Sequence, residues 1–111
     1  MAKIYTIKWT ETARNDLESI IDYIAIDSPQ NALSVLDRLE TKVKILEKFP
    51  KQGRIIPELE PYNYFMYREI IETPWRIIYK NDSDIIYIMA IIDGRRNVED
   101  ILVKRMINNI M

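Results

Sequence analysis

The sequence predicts an α+β domain in which helices pack on a small, mainly antiparallel sheet. Residues 11–49 carry apolar side chains at helical spacing, whereas residues 67–92 contain three short apolar runs separated by turn-length gaps. A third helical pattern follows near the end of the chain. The 111 residues suffice for one core, so we expect one domain spanning residues 1–111, in the order β-α-α-β-β-β-α.

The first part of the chain is predicted to form a strand and a helical hairpin. Residues 4–9 are rich in β-branched and aromatic residues, as strands are. Thr10 can cap a helix running to about residue 26, and Ser28, followed by proline, can cap a second helix running to about residue 49. The expected core-facing residues of the two helices are Ala13, Leu17, Ile20, Ile21, Ile24, Ala32, Leu36, Leu39, Val43 and Leu46.

A long connection then leads to three strands, predicted over residues 67–72, 75–80 and 85–92. Alternation in the second of these places Arg76, Ile78 and Lys80 on one face. We expect the helices to cover only one face of the sheet. The other face is then expected to stay partly open, with Arg76 and the arginines that follow the last strand converging on it.

The last helix is predicted to begin at Asn97, with Asp100 placed as in a capping box. Its polar face carries Lys104 and Arg105, which read as a solvated pair of charges. The helix is expected either to pack on the domain or to be displaced or covered when a partner binds. Its expected apolar residues are Val98, Ile101, Leu102, Met106 and Ile110.

Composition excludes several kinds of chemistry. The chain has 16 Lys+Arg and 17 Asp+Glu, a net charge of −1, which does not predict nonspecific wrapping of nucleic acid. It has no cysteine and no histidine, so thiol nucleophiles and histidine-based triads are impossible within it. We expect no metal site and no cofactor. The N-terminus lacks the apolar region of a signal peptide, and no apolar run approaches the ~20 residues of a membrane span, so we expect a soluble, cytoplasmic protein with no membrane partner.

Some apolar residues of the two predicted helices fall outside the core-facing stripe. They indicate either a wide core face with ordinary exposed hydrophobic residues, or a groove for a partner peptide. These candidate partner-binding residues are Tyr23, Ile26, Leu33, Val35 and Ile45.

Four stretches give the chain a resemblance to a known family: "IKWTETARNDLESIIDYIAIDSPQNA", "FPKQGR", "YREIIETPWRIIYK" and "IIYIMAIIDGRRNVEDIL". In this order and spacing, the sequence resembles the ParE/RelE superfamily of toxins from bacterial type II toxin–antitoxin systems. The resemblance implies a helical hairpin packed on a small antiparallel sheet. It also implies one of two activities, because RelE-like members cut mRNA on the ribosome whereas ParE-like members poison DNA gyrase.

Individual residues indicate which of these two branches the chain resembles more. The RelE-like pattern has two lysines where this chain has Tyr67 and Glu69, and a C-terminal tyrosine where it has Leu102. The arginines of that pattern are retained at Arg76 and Arg96. Arginine stabilises phosphate charge but stays protonated and is a poor proton carrier. The chain therefore fits the ParE-like branch better, and we assign no catalytic residue.

The candidate target-binding residues are Arg54, Trp75, Arg76, Arg95 and Arg96. Arginine is a frequent interface anchor because its planar fork pairs with carboxylates in two places. Each also has a structural interpretation. Arg54 can tie the long connection to the sheet, and the two adjacent arginines can form exposed ion pairs with Asp93, Glu99 or Asp100, or anchor the last helix.

The resemblance thus implies a ParE-like toxin that inhibits DNA gyrase by binding and is neutralised by a cognate antitoxin. DNA would be contacted only indirectly, through the antitoxin or gyrase. Two alternatives stay open. One is a RelE-like ribosome-dependent endoribonuclease, and the other is a non-toxic homologue that serves only in antitoxin binding and promoter autoregulation.

Overall fold

Three helices and a five-stranded sheet make up the fold, which confirms the predicted α+β class. The computed structural model describes residues 3–108, so the predicted Ile110 lies outside the described residues. Short 3-10 turns span Ile45–Glu47 and Pro57–Tyr62. The elements are β1 (Thr6–Trp9), α1 (Glu11–Asp27), α2 (Pro29–Lys44), β2 (Arg54–Ile55), β3 (Tyr67–Glu72), β4 (Trp75–Asp82), β5 (Ile85–Asp93) and α3 (Val98–Ile107).

All three helices begin at the predicted capping residues. The side chains of Thr10, Ser28 and Asn97 each accept a hydrogen bond from the backbone amide three residues further on, at 3.0–3.2 Å. Thr10 also donates its hydroxyl to the carbonyl of Ile88, at 2.9 Å. This bond ties the start of α1 to β5, so the cap fixes the position of the helix as well as its first turn.

The sheet has the strand order β1-β5-β4-β3-β2. All neighbouring strands are antiparallel except β1 and β5, which are parallel. The sequence did not predict β2, a two-residue strand within the long connection that pairs with β3. Strands that short lack a periodic signal, because alternation needs at least four residues to be visible.

A bulge in β5 changes which side chains face each side of the sheet. Tyr79 of β4 pairs with Ile88, but Ile78 pairs with Ala90, so Met89 is an extra residue. Met89 and Ala90 therefore both pack in the same core although they are consecutive. Alternation resumes afterwards, so one face receives Ile86, Ile88 and Ile91, and the other receives Met89, Ala90 and Ile92.

The helical hairpin covers the first face, as predicted. Its core contains residues of both helices and of β3–β5, and Trp9 packs against it while half-buried. The stripe of α2 differs from the prediction at one place, where Val35 is buried and Leu36 is only partly so. Both residues can follow Ala32 at helical spacing, and Val35 lies closer to the sheet.

The second face of the sheet is not open, contrary to the prediction. The 3-10 turn at Pro57–Tyr62 and helix α3 pack on it and enclose a second core. Leu59, Val98 and Leu102 are buried there, together with residues of β3–β5. The sheet is therefore covered on both sides. The sequence did not predict this cover because the segment Pro57–Tyr62 contains two prolines and shows no helical periodicity. Within the described residues, no helix is both long and apolar enough to span a membrane.

Candidate functional site

A chain of four alternating charges crosses the second face of the sheet. Glu69 of β3, only 1% exposed, accepts hydrogen bonds from Arg76 Nε at 2.6 Å and from Arg54 Nε at 2.7 Å. The two terminal nitrogens of Arg76 donate to the two carboxylate oxygens of Glu58, at 2.7 and 2.6 Å. The four side chains form a continuous network in the order Arg54, Glu69, Arg76, Glu58.

Strand register explains why these charges meet. Arg54 and Glu69 are direct partners across β2 and β3. Arg76 lies on β4, diagonally opposite Glu69 and on the same face, because Glu69 pairs with Ile78. The 3-10 turn carries Glu58 over this face from above. Arg76 therefore lies on the face of the sheet where it was predicted. The 3-10 turn that covers this face supplies Glu58, the carboxylate to which Arg76 binds.

The network favours the charged forms of Glu58 and Arg76. Hydrogen bonds from Arg76 lower the pKa of Glu58, and the bonds to Glu58 and then to Glu69 raise the pKa of Arg76. A two-point arginine–carboxylate pair also fixes the guanidinium plane. Arg76 donates from all three of its nitrogens to carboxylates, so three of its five N–H donors are used and two carboxylates already balance its charge.

Two candidate target-binding residues are therefore placed differently from the prediction. Arg76 was expected to project from an open face, but it is 8% exposed and enclosed by the network. Trp75 was expected beside it on a partner surface, but it is buried in the core under the helical hairpin. The reason is strand alternation: the two neighbours point to opposite faces, and both faces are covered.

The other three arginines are exposed. Arg54 uses one nitrogen to tie β2 to Glu69 and leaves most of its side chain in solvent. It therefore has the structural role considered for it and is still accessible to a partner. Arg95 pairs with Asp93 at 2.7 Å while remaining exposed, and the resulting hydrogen bonds lower the pKa of Asp93 to about 2. Arg96 is exposed beside it.

The turn that carries Arg95 and Arg96 lies against the buried arginine. Gly94 donates its amide to the carbonyl of Pro74 at 2.8 Å. A β-carbon at Gly94 would lie 3.3 Å from Arg76 Cδ. The backbone of this turn is thus held beside Arg76, while the side chains of Arg95 and Arg96 are exposed.

The apolar candidates do not form one surface. Tyr23, Ile26 and Leu33 are 76%, 79% and 66% exposed and lie around the turn between α1 and α2; we call them the hairpin-tip patch. Val35 is buried in the core, so its assignment to a partner surface is wrong for the folded chain. Ile45 is partly exposed, but it follows Leu33 by twelve residues, about 18 Å along the helix.

Ile45 belongs instead to a second exposed apolar site. A cleft of about 380 Å³ lies between β1 and the end of α2. Its apolar lining comes from Ile4, Ile45 and Phe49, and lysines and a glutamate surround it. The exposed residues among the apolar candidates therefore lie at both ends of the helical hairpin.

The sequence analysis missed three residues that organise the structure: Asp16, Glu58 and Arg105. Arg105 is not a solvated charge, as Lys104 beside it is, because it makes two hydrogen bonds to Asp16 across the domain. Asp16 lies off the apolar stripe of α1, and Glu58 sits in an irregular segment. A carboxylate partner from a distant part of the chain leaves no local signal in a single sequence.

These features define a small α+β protein with a helical hairpin on one side of its sheet and a charged network on the other. The family model for the ParE toxin of the type II toxin–antitoxin system parDE matches residues 7–98. The chain belongs to this family. It is a toxin of the type II toxin–antitoxin class rather than a protein of unrelated function with a similar sheet.

Individual relatives agree with this assignment. Toxin ParE3 of Caulobacter vibrioides is 28% identical over 90 residues, covering 80% of this chain and 86% of that protein. Among solved structures, a chain of the chromosomal ParDE toxin–antitoxin system from P. aeruginosa is 26% identical, with a TM-score of 0.66, and the match covers 79% of this chain and 94% of that chain.

A RelE-type structure shares the fold at lower identity. The RelBE2 toxin–antitoxin complex from Mycobacterium tuberculosis contains a chain that is 21% identical with a TM-score of 0.57. The match covers 84% of this chain and 94% of that chain. At this identity the likeness shows the common fold alone.

Proposed function

We propose that this ParE-family toxin inhibits DNA gyrase by binding to it, without cutting RNA, and that a cognate antitoxin neutralises it. Family membership supports the toxin part of this proposal. The solved ParDE relative belongs to a toxin–antitoxin system, which supports an antitoxin as partner. The choice of binding over catalysis depends on the charge network.

The observation that carries the proposal is the burial of Tyr67 and Glu69. These positions replace the two lysines of the RelE-like pattern, and both are shielded from solvent. Glu69 neutralises Arg76 instead of facing a substrate. Metal-free RNA cleavage needs a group that takes a proton from the ribose and one that returns a proton to the leaving oxygen. The buried tyrosine and carboxylate are poorly placed to do either, and burial raises the pKa of Tyr67 further.

The exposed arginines are the proposed target-binding surface. Arg54, Arg95 and Arg96 keep their side chains at the surface, around the turn and strand edge that the network supports. Arg95 is oriented by Asp93 through bonds of 2.9 and 2.7 Å. Exposed arginines on rigid turns are suited to pairing with carboxylates of a protein partner.

The hairpin-tip patch and the cleft at Ile45 are the proposed antitoxin-binding surface. Three large apolar side chains, each more than half exposed, lie close together in the sequence at the hairpin tip. Large exposed apolar side chains grouped in this way are typical of interaction sites. An antitoxin segment that covers one or both ends of the hairpin would remove it from water.

The proposal is tested by assaying both activities of the purified toxin side by side. We expect inhibition of gyrase supercoiling and intact mRNA on programmed ribosomes. The variant Arg95→Glu/Arg96→Glu should inhibit gyrase at least about tenfold less well, since reversing charges at an interface costs about 1.4 kcal/mol or more. Lys104→Glu, which reverses an exposed charge elsewhere, should behave like the wild type.

Other outcomes distinguish the alternatives. Cut mRNA with unaffected gyrase would establish the ribonuclease. Normal bacterial growth during expression of a well-folded chain, with no effect in either assay, would favour the non-toxic homologue. For the antitoxin, Tyr23→Ser/Leu33→Ser should weaken binding, whereas Ile107→Ser, which changes an exposed apolar residue of α3, should not.

A further inference from the structure

A basic cleft lies at the end of the β3–β4 ladder, near the pair formed by Tyr67 and Lys80. It has a volume of about 470 Å³. Lys51, Arg68 and Lys80 line it, with Asp82 as its one acidic residue. The chain as a whole has a net charge of −1, so this concentration of positive charge is local. We call this site the basic cleft.

None of the three cations of the basic cleft forms an ion pair within residues 3–108. Elsewhere in that range, five arginines do so: Arg38, Arg54, Arg76, Arg95 and Arg105. Arg68 uses one nitrogen to bind the carbonyl of Gly53, at 2.9 Å, which fixes its position but leaves its charge unbalanced. The ammonium group of Lys80 lies 5.8 Å from the ring of Tyr87.

The cleft also has an apolar wall. Phe65 and Met66, at the start of β3, are each more than half exposed although both are large hydrophobic residues. Folding gains little from them in this position. A ligand that covers them and also meets the three cations would bury apolar surface and pair charge at once.

We propose that the basic cleft binds a short acidic peptide segment of a protein partner, with one apolar side chain packed on Phe65 and Met66. Carboxylates of the segment pair with Lys51, Arg68 and Lys80. A nucleic acid fits less well because its phosphates recur at every nucleotide and would meet Asp82, whereas a peptide can place an uncharged residue there. The volume matches a few side chains, as in small ligand sites. The cleft is separate from the hairpin-tip patch, so the two surfaces can be occupied together.

The test uses the full-length toxin and a fluorescently labelled synthetic peptide of glutamates with a central leucine, followed by fluorescence anisotropy. We expect saturable binding that weakens with added salt. Lys51→Glu/Lys80→Glu should weaken it at least about tenfold, since two attractive charge pairs both become repulsive. The matched control is Lys8→Glu/Lys104→Glu, which changes the net charge equally at exposed lysines outside the cleft, and it should bind nearly as well as the wild type.

A second variant tests the apolar wall separately. Phe65→Ser should weaken peptide binding while leaving circular dichroism and urea unfolding unchanged, because Phe65 is exposed. The proposal is overturned if the wild type does not bind the peptide, or if both double variants bind it equally. It is also overturned if a single-stranded oligonucleotide binds more tightly and displaces the peptide, which would assign the cleft to nucleic acid. None of these readouts depends on gyrase inhibition, so failure here is distinct from failure of the proposed function.

Discussion

Arg105 of α3 donates two hydrogen bonds to Asp16 of α1, at 2.8 and 2.9 Å. The same carboxylate accepts the backbone amide of Ile91 in β5, at 3.0 Å. The parallel pairing of β1 with β5 ends at Trp9 and Ile88, so strand β1 does not reach this amide. Asp16 thus takes the place of a strand partner and joins two helices to the sheet edge.

This arrangement predicts unequal costs for removing the two partners. Asp16→Ala should destabilise the fold by about 3 kcal/mol, because it leaves both Arg105 and the Ile91 amide without their acceptor in a partly buried place. Arg105→Ala should cost about 1 kcal/mol, since Asp16 keeps its bond to the amide. Urea unfolding of both variants measures the difference.

Lys104→Ala is the control for the helix itself. Lys104 pairs with Asp100 on the exposed face of α3, so its removal should cost well under 1 kcal/mol. If Arg105→Ala proved as costly as Asp16→Ala, the role assigned to the amide bond would be wrong.

A second prediction concerns Glu69. Glu69→Gln should lower the free energy of unfolding by about 3–5 kcal/mol, because the buried guanidinium of Arg76 loses one of its two carboxylates. Glu69→Lys, which restores the RelE-like residue, should prevent folding rather than confer RNA cleavage. The control is Glu72→Gln, on the same strand as Glu69. It removes a more exposed ion pair with Arg38 of α2 and should cost about 0–1 kcal/mol. A folded Glu69→Lys variant that cuts mRNA would contradict the interpretation.

A third prediction is a pH dependence that originates at Glu58. Its pKa is lowered from the ordinary 4.5, chiefly by hydrogen bonds from Arg76. A carboxylate with a depressed folded-state pKa contributes its full stability above the unfolded-state value, and that contribution is lost as the pH falls through the folded-state value. The stability difference between wild type and Glu58→Gln should therefore be constant above about pH 5 and shrink below pH 4.5.

Urea unfolding at several pH values measures this difference. Glu60→Gln is the matched control, because Glu60 is an exposed glutamate in the same 3-10 turn. The difference between wild type and this control should not change over the same range. If Glu58→Gln lowered the free energy of unfolding equally at all pH values, Glu58 would stabilise the fold through its packing and not through its charge.

A fourth prediction concerns the close packing of Gly53. An added β-carbon would lie 2.5 Å from the carbonyl oxygen of Glu69 and 2.7 Å from the ring of Tyr79. The Tyr79 hydroxyl is itself fixed, since it donates to Pro50 and accepts from the Gly53 amide. Gly53→Ala should therefore cost about 3 kcal/mol in thermal or urea unfolding.

Gly94 provides the comparison. There the nearest atom to an added β-carbon is 3.1 Å away, and the next belongs to a side chain. Gly94→Ala should be milder than Gly53→Ala by at least about 1 kcal/mol. Equal costs would show that backbone freedom in the two turns matters more than the contacts.

Local signals in the sequence predicted the elements of the fold well. The three helix caps and the limits of β3 match the structure, because capping and strand alternation depend on neighbouring residues. The stripe of α2 was wrong at Val35 because two adjacent positions satisfy the same helical spacing. Periodicity could not choose between them without knowing where the sheet lies.

The candidate site was predicted only in part. Arg54 and the strand-end arginines are exposed, but Arg76 is buried beneath a segment that was predicted to be an irregular connection. Trp75 points to the opposite face and is buried under the helical hairpin. Glu58 could not be recognised as the partner of Arg76 from sequence, since eighteen residues and no repeating pattern separate them. Contacts of this kind are set by tertiary packing, which single-sequence reasoning does not see.

The parallel pairing of β1 with β5 has a consequence for how the molecule is made. Thr6 lies beside Ile85 in the sheet, so a ribosome delivers the first strand long before its neighbour exists. The apolar stripe of the helical hairpin stays exposed to solvent until most of the polypeptide has left the ribosome, because the strands on which it packs are made later. A chain released early by premature termination would lack the strand on which the hairpin packs, and such a fragment should be non-toxic and readily degraded by proteases.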